Sequence, residues 1–420
     1  MSTFQKIPYF VKSLIVSYPS SKTLSYFWNA GRFLGFVLVV QIASGLLLVF
    51  FYTPHTSLAS FSVDYLSRDV WFGFLPRILH LSGATLFSFM LLFHISRGMI
   101  NRRYILSNVW WRGTTILLIQ MAIAFLGYVL VWGQMSLWGA TVITNLISAI
   151  PYIGSKLVFW FWGGFRLNSA TLSFFFTLHY LLPFVLLVIV FVHLILLHET
   201  RSRRRIQVHE SFTKIKFNPF YSFKDVLNVL VISVFYGLAM FSPWSFGDPE
   251  NWALANPIVS PVHIQPEWYF LFAYEILRSI PNKLGGVVAL VLSILFLYLI
   301  PLFPSRTPQR LLILKLNLSF LIHVFLILTW LGSCTVAEPF IFVGKIYTCL
   351  YFLSLTIFIL IWVFSIISIS VLHSLGFRSI TVSWKTRLGG SKCYSTINIS
   401  ISVFILYSFG YVLYQVKLSV

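Results

Sequence analysis

Apolar residues run through this chain in long blocks and do not alternate with polar ones. Eight blocks lie near residues 30–52, 75–100, 112–131, 172–197, 226–243, 285–303, 312–332 and 345–371. Each approaches or exceeds the roughly 20 residues an α-helix needs to cross a hydrocarbon layer. A ninth block, near 397–416, is shorter and is interrupted by Tyr407, Gly410 and Tyr411, so it reads either as a further span or as an interfacial helix. Two connections are long. Residues 132–171, with Trp, Gly and Pro, predict short surface helices, and residues 244–284 are rich in Pro and Trp. Connections of that length tend to be functional. Both follow an odd-numbered span, so both are expected on one side of a membrane, opposite the Arg-rich connection at 201–216.

Composition agrees with this pattern. The chain has 420 residues, 58% hydrophobic and 10% charged, too few charges to clothe a soluble domain. The formal charge of +20 gathers in short stretches between apolar blocks: Arg102 and Arg103, Arg201 and Arg203 to Arg205, then Lys214, Lys216 and Lys224. That distribution marks one side of a polytopic membrane protein, with anionic lipid such as cardiolipin as counter-ion, and makes nucleic acid an unexpected partner. The three cysteines, Cys334, Cys349 and Cys393, form no CxxC or CxxCH, which argues against covalently attached haem or a cysteine-held cluster within this chain.

The second block holds His80 and His94; the fourth holds His179 and His193. Both pairs are 14 residues apart. Fourteen steps of 100° fall 40° short of four turns, so each pair shares a helix face, about 21 Å apart along the axis. Alternate spans run parallel, so His80 can meet His179 near one surface and His94 can meet His193 near the other. Two stacked bis-imidazole sites suit two non-covalent haems whose iron has no open position. Glycine repeats the interval: Gly31 and Gly45 in the first block, Gly113 and Gly127 in the third. Without Cβ, a flat macrocycle can approach the backbone. Arg77, one turn before His80, and Arg97, three residues after His94, stand at the membrane edges where haem propionates would emerge.

The segments GYVLVWGQMSLWGATVITNLISAIPYIG (127–154) and PEWYFLFAYEILRSIPNKLGG (266–286) resemble the quinol-site signatures of the cytochrome b family of ubiquinol–cytochrome c oxidoreductase, respiratory complex III. The resemblance runs from about residue 20 to about 370. It implies an all-α polytopic membrane protein of eight transmembrane helices with a four-helix di-haem bundle, plus the possible ninth C-terminal helix. The implied domains are 1–215 (di-haem bundle), 216–375 (C-terminal helices with the quinol-site loop) and 376–420 (an extension). His80 and His179 would ligate a low-potential haem, and His94 and His193 a high-potential one. Quinol oxidation would use Glu267, with Tyr128, Gly139 and Tyr274 lining the site. Quinone reduction would use His198, Lys224 and Asp225, with Trp28 and Asn29 nearby. Ubiquinol and ubiquinone are the implied substrates. The implied partners are a Rieske iron–sulfur protein, a cytochrome c1-type subunit, accessory subunits and a second copy of the complex. The implied location is the mitochondrial inner membrane, with a bacterial cytoplasmic membrane as the alternative.

The chain departs from the family pattern at Val131 (usually Pro), at Arg32 (usually small and polar), at 201–206 (RSRRRI), at Phe174 (expected Arg) and in the tail beyond about 375. A photosynthetic b-f subunit would divide the chain after the fourth span and add a residue between that span's histidines. A fumarate-reductase-type anchor would lack the Glu267 tetrapeptide. A proton-coupled transporter would give the parallel histidine pairs no purpose, and its inverted repeat is not visible.

Overall fold

The computed structural model describes residues 19–22, 24–200, 214–303, 310–374, 382–388 and 391–397. The Arg-rich stretch 201–206 and nearly all of the ninth apolar block lie outside the described residues. Among the described residues there are twelve α-helices: α1 Ala30–Val49, α2 Ala59–Arg68, α3 Phe74–Ile100, α4 Ser107–Leu130, α5 Gln134–Asn145, α6 Gly154–Trp162, α7 Ser169–Thr200, α8 Phe220–Phe241, α9 Leu271–Arg278, α10 Lys283–Leu299, α11 Arg310–Ser333 and α12 Phe340–Ser374. Eight of these regions are long and apolar enough to cross a membrane, at Tyr26–Val49, Phe74–Ile100, Ser107–Leu130, Ser169–Glu199, Phe220–Phe241, Lys283–Leu302, Leu312–Ser333 and Phe340–Ile361. They coincide with the eight apolar blocks. The fold is therefore an all-α, polytopic one.

The helices overrun the apolar blocks at their polar ends. α4 begins at Ser107, before Arg112, and α8 begins at Phe220, so Lys224 and Asp225 lie in a helix and not in a loop. A helix satisfies its own backbone whatever surrounds it, and continues into the headgroup layer where charge is tolerated. α7 is apolar on every side and leaves side chains such as Val188 (62%) and Phe191 (58%) exposed. A helix of that kind faces lipid as well as protein.

α1 packs along α3, and α4 along α7. Phe33, Val37, Phe87, Leu91, Ile116 and Leu186 from these four helices meet in one buried cluster, joined by Ile232 and Tyr236 of α8. A second cluster beneath the loops gathers Ala59, Val129, Trp132, Leu137, Leu172 and Phe175. A third holds α9 to α10, α11 and α12 through Phe272, Ile276, Ala289, Val324, Leu328 and Tyr351.

Two compact units are distinguished: Met1–Pro304 with Lys315–Thr356, and Ser305–Leu314 with Ile357–Val420. In the first, strands β1 (Pro19–Ser21) and β2 (Lys214–Lys216) pair antiparallel. In the second, β3 (Val382–Leu388) and β4 (Ser391–Ile397) form an antiparallel pair.

The two long connections are clasped together. The Gln134 amide N–H donates to Ala253 O (3.0 Å), and its side chain donates to Val259 O (2.9 Å) while accepting from Asn256 N (2.8 Å). Ser136 N donates to Asn251 Oδ1 (2.8 Å). Both connections thus lie on one face, as their order in the chain requires. The corner between α4 and α5 places Trp132 at φ 58°, a left-handed conformation rare for a non-glycine residue. Ser60 Oγ holds that corner by donating to Val131 O (2.9 Å) and Trp132 O (2.7 Å).

Candidate functional site

α3 and α7 bring His80 and His179 together, with ring centroids 6.1 Å apart and planes at 82°. Each glycine of the 14-residue repeat faces one histidine. A Cβ at Gly45 would lie 3.0 Å from His80 Cε1, and one at Gly127 would lie 2.5 Å from His179 Cε1. At the other end of the bundle, Gly31 faces His94 (3.3 Å) and Gly113 faces His193 (3.5 Å). The glycines therefore serve first to admit an imidazole edge against the neighbouring helix, a tighter role than the sequence alone assigns them.

The outer ring nitrogens differ between the two ends. His179 Nδ1 donates to the Ile123 carbonyl (2.9 Å). His80 Nδ1 lies 3.0 Å from Ser44 Oγ, whose own hydrogen goes to Val40 O (2.7 Å). That hydroxyl must accept from His80, which leaves both Nε2 lone pairs of this pair available to a metal. His94 Nδ1 is buried without a partner; His193 Nδ1 faces the Val109 carbonyl outside hydrogen-bond geometry. Pro183, four residues after His179, has no N–H, so the His179 carbonyl lacks its usual helical partner.

The histidines come in twos. Among the described residues no group of three or more His, Cys, Asp or Glu side chains could hold a metal ion by itself. An ion here would take its remaining ligands from a cofactor, and the imidazole pairs with their Cβ-less cradles fit a planar macrocycle.

A cavity of about 270 Å³ opens between His80, His179, Gly45 and Gly127 and extends to Arg77, Tyr128, Asp248 and Glu267. Tyr128, Gly139 and Glu267 also line a smaller adjoining void with Phe125, Ile143, Pro266 and Phe270. A Cβ at Gly139 would meet nothing within 4 Å, so this glycine keeps space open. Glu267 Oε1 is buried without a hydrogen-bond partner. Burial, reinforced by the Asp248 carboxylate, pushes the Glu267 carboxyl up to about 7. Burial also raises the Tyr269 phenol well above its ordinary value, with Glu267 adding to it. Tyr274 is not among the lining residues: its hydroxyl donates to Ile264 O (3.1 Å), and Arg278 lies 5.5 Å from its ring centre. Arg77 donates to Ser67 Oγ (2.8 Å) and lies 5.1 Å and 5.3 Å from the rings of Trp252 and Trp244. Ser44, Asp248, Trp244 and Trp252 belong to this region although the sequence reading passed over them. The Asp–Pro–Glu turn, in which Asp248 caps a short 3-10 helix, was the available signal for Asp248.

At the opposite end, Trp28 and Asn29 occupy a 3-10 turn before α1. Arg97 and Arg103 lie 4.2 Å and 4.4 Å from the Trp28 ring, and Arg97 donates to Phe27 O. Asn29 is buried with Nδ2 unpartnered, as is Asn228 of α8. Lys224 Nζ donates to Leu24 O (2.9 Å). Asp225 is ion-paired with Arg32 (3.1 Å), which stacks on Phe217 (3.7 Å). His198, in the last turn of α7, donates from Nδ1 to Leu194 O (2.8 Å).

Comparison with known proteins gives matches over the same regions. Residues 15–201 match the family model described as cytochrome b/b6/petB, and residues 254–352 match the one described as cytochrome b(C-terminal)/b6/petD, together about two thirds of the chain. A solved structure titled "Hyperthermophilic respiratory Complex III" is similar at 27% identity, with a TM-score of 0.79, over 86% of this chain and 97% of that one.

Proposed function

The chain belongs to the cytochrome b family, and on that premise we propose that it is the quinol-oxidising, di-haem subunit of a quinol–cytochrome c oxidoreductase. The family and its structural relative make it a multi-pass, b-haem-binding subunit of a respiratory electron-transfer complex. The finer reading rests above all on one observation: the His80/His179 pair and the partnerless Glu267 carboxyl line the same cavity.

In this reading His80 and His179 hold a low-potential haem and His94 and His193 a high-potential one, with Gly31, Gly45, Gly113 and Gly127 as their cradle. The haems, when bound, supply two one-electron carriers stacked across the membrane. Arg77 and Arg97 stand at the two ends as cations for the propionates. Ubiquinol enters beside Tyr128, Gly139 and Glu267. Its oxidation releases two electrons and two protons: one electron goes to a Rieske iron–sulfur protein and onward to a cytochrome c1-type subunit, and the other goes into the membrane. Glu267, its carboxyl pushed up to about 7 by burial and the Asp248 carboxylate, takes up one of the protons. Tyr274, its hydroxyl held on Ile264 O, stands behind the lining of this site within the same motif. At the other face His198, Lys224 and Asp225, with Trp28 and Asn29, receive a quinone. His198, oriented by its Nδ1–H bond to the Leu194 carbonyl, hands protons to the reduced quinone, and Lys224 offsets developing negative charge. Protons released at one face and taken up at the other give net translocation. The complex is a homodimer with accessory subunits and bound cardiolipin in the mitochondrial inner membrane. The domains follow the bundle (1–215), the later helices with the quinol loop (216–375) and the extension (376–420).

A reduced-minus-oxidised spectrum of the purified complex, with a redox titration of its b-type absorption, tests this reading. Two components with distinct potentials are expected. A single component, or none, would overturn it.

A further inference from the structure

Ser44 was not singled out by the sequence reading and has no place in the function just proposed. It is 3% exposed, on α1, beside Gly45. A hydroxyl has one hydrogen, and that of Ser44 is committed to its own helix, at 2.7 Å from Val40 O with Gln41 O at 3.2 Å. Toward His80 Nδ1, 3.0 Å away, it is therefore placed to accept, and the Gln41 carbonyl is a second acceptor facing the same ring. The His80 imidazole is thereby fixed with its hydrogen on Nδ1 and its lone pair on Nε2. Gln41, one turn earlier on α1, donates to the His80 carbonyl (3.2 Å), so ring and backbone are both held from the same helix.

An acceptor on the outer N–H of a metal-bound imidazole raises the basicity of the ligand and favours the more highly charged metal state. His179 has such an acceptor in the Ile123 carbonyl, whereas His94 Nδ1 has none. The two imidazole pairs are therefore unequal in their outer hydrogen bonds.

We propose that Ser44 is a positioning residue that fixes the orientation of His80 and lowers the potential of the haem held between His80 and His179. This inference rests on the haem assignment proposed above. Ser44→Ala removes the hydroxyl acceptor and one oxygen atom's volume, and leaves the ring the Gln41 carbonyl alone. Ser44→Thr keeps the acceptor. Ser44→Cys keeps a weak one.

The test is a redox titration of the b components of the purified complex carrying each variant, with haem content measured in parallel. Ser44→Ala is expected to raise the potential of one component and leave the other in place. A tenfold change in its ferrous-to-ferric ratio would appear as 59 mV. Ser44→Thr should titrate as wild type, and Ser44→Cys should shift the same component upward by less. The Cys variant decides the matter if the Ala variant does not accumulate. Unmoved potentials with both haems bound, or equal shifts of both components, overturn the inference alone. Absence of b haem from the wild-type complex would overturn the proposed function, and this inference with it.

Discussion

Alanine at the four helix glycines should harm the two imidazole pairs unequally, in an order that their geometry fixes. The added Cβ would stand 2.5 Å from His179 Cε1 at Gly127, 3.0 Å from His80 Cε1 at Gly45, 3.3 Å from His94 Cε1 at Gly31 and 3.5 Å from His193 Cε1 at Gly113. Carbon atoms in ordinary contact stand about 3.5–4.0 Å apart. Gly113→Ala therefore makes an ordinary contact, Gly31→Ala asks for a few tenths of an ångström, and Gly127→Ala forces the ring to move. His179 resists that movement because its Nδ1 is held at 2.9 Å on the Ile123 carbonyl. Overpacking of this kind costs about 1–3 kcal/mol. At 1.4 kcal/mol per tenfold, the upper end is roughly a hundredfold weaker retention of the cofactor at that pair. Haem content per purified complex, resolved into its two b components by redox titration, measures this directly. Losses should fall in the order Gly127, Gly45, Gly31, Gly113, with the first two affecting one component and the last two the other. Full retention in Gly127→Ala alongside haem loss in Gly113→Ala would refute the cradle.

Three further outcomes follow from the charged groups. Only the ionised Glu267 carboxylate can accept a proton, so quinol oxidation limited by that step should rise with pH through about 7 and level off above it. Glu267→Gln should abolish the rise and Asp248→Asn should move it to lower pH, while a Gln variant with the wild-type pH profile would remove Glu267 from this role. Glu275 (2% exposed) is ion-paired with Arg278, which also donates to Cys334 O and Leu331 O. Glu275→Ala leaves a largely buried guanidinium without its counter-charge and should cost about 3 kcal/mol, read as faster thermal inactivation; a cost under about 1 kcal/mol would mean that water reaches the pair. Arg32 and Asp225 pair with side-chain exposures of 41% and 18%, so a double-mutant cycle of Arg32→Gln and Asp225→Asn on thermal stability should give a coupling below about 1 kcal/mol, and a larger value would show that the pair is shielded from solvent.

The spans were legible because a bilayer forces backbone self-satisfaction and an apolar exterior at once, and both leave a mark in unbroken hydropathy. The meeting of His80 with His179 was legible because helical geometry turns a spacing into a face. Helix ends were less so: Lys224 and Asp225 lower the hydropathy of α8 without ending it. The hydrogen bonds that hold the imidazoles were not legible at all. Ser44 and the Ile123 carbonyl become partners only once α1 lies on α3 and α4 on α7, and a backbone acceptor leaves no trace in side-chain chemistry. The clasp of Gln134 on Val259 and of Ser136 on Asn251 is of the same kind, since it joins residues over 110 positions apart. Of the departures from the family pattern, Val131 caps α4 at the corner that Ser60 holds, and Arg32 finds Asp225 and Phe217. Nothing in the structure explains Phe174 in place of the expected Arg.

The two ends of the bundle need proton chemistry, and the stretch between them must withhold it. Residues 81–93 of α3 and 180–192 of α7, which join the histidines of each pair, contain no Asp, Glu, Lys, Arg or His. The same holds for residues 33–44 of α1 and 114–126 of α4. All four helices are thus free of chargeable groups of this kind over the same depth; the side chains that meet there are mostly Leu, Ile, Val and Phe, with Tyr236 of α8 among them and the buried Ser82 and Ser88 hydroxyls bonded back to their own helix. A proton crossing such a layer would need a chain of polar groups, whereas an electron needs only carriers held at a fixed separation. Repeating 14 residues on every helix of the bundle meets both needs: it sets the two sites about 21 Å apart, and it leaves the interval between them free for apolar packing. Glu267 fits the same division. It is carried on the clasped loops at the face of the cavity and not on a spanning helix, so the group that takes the proton stands outside the path along which the electron travels.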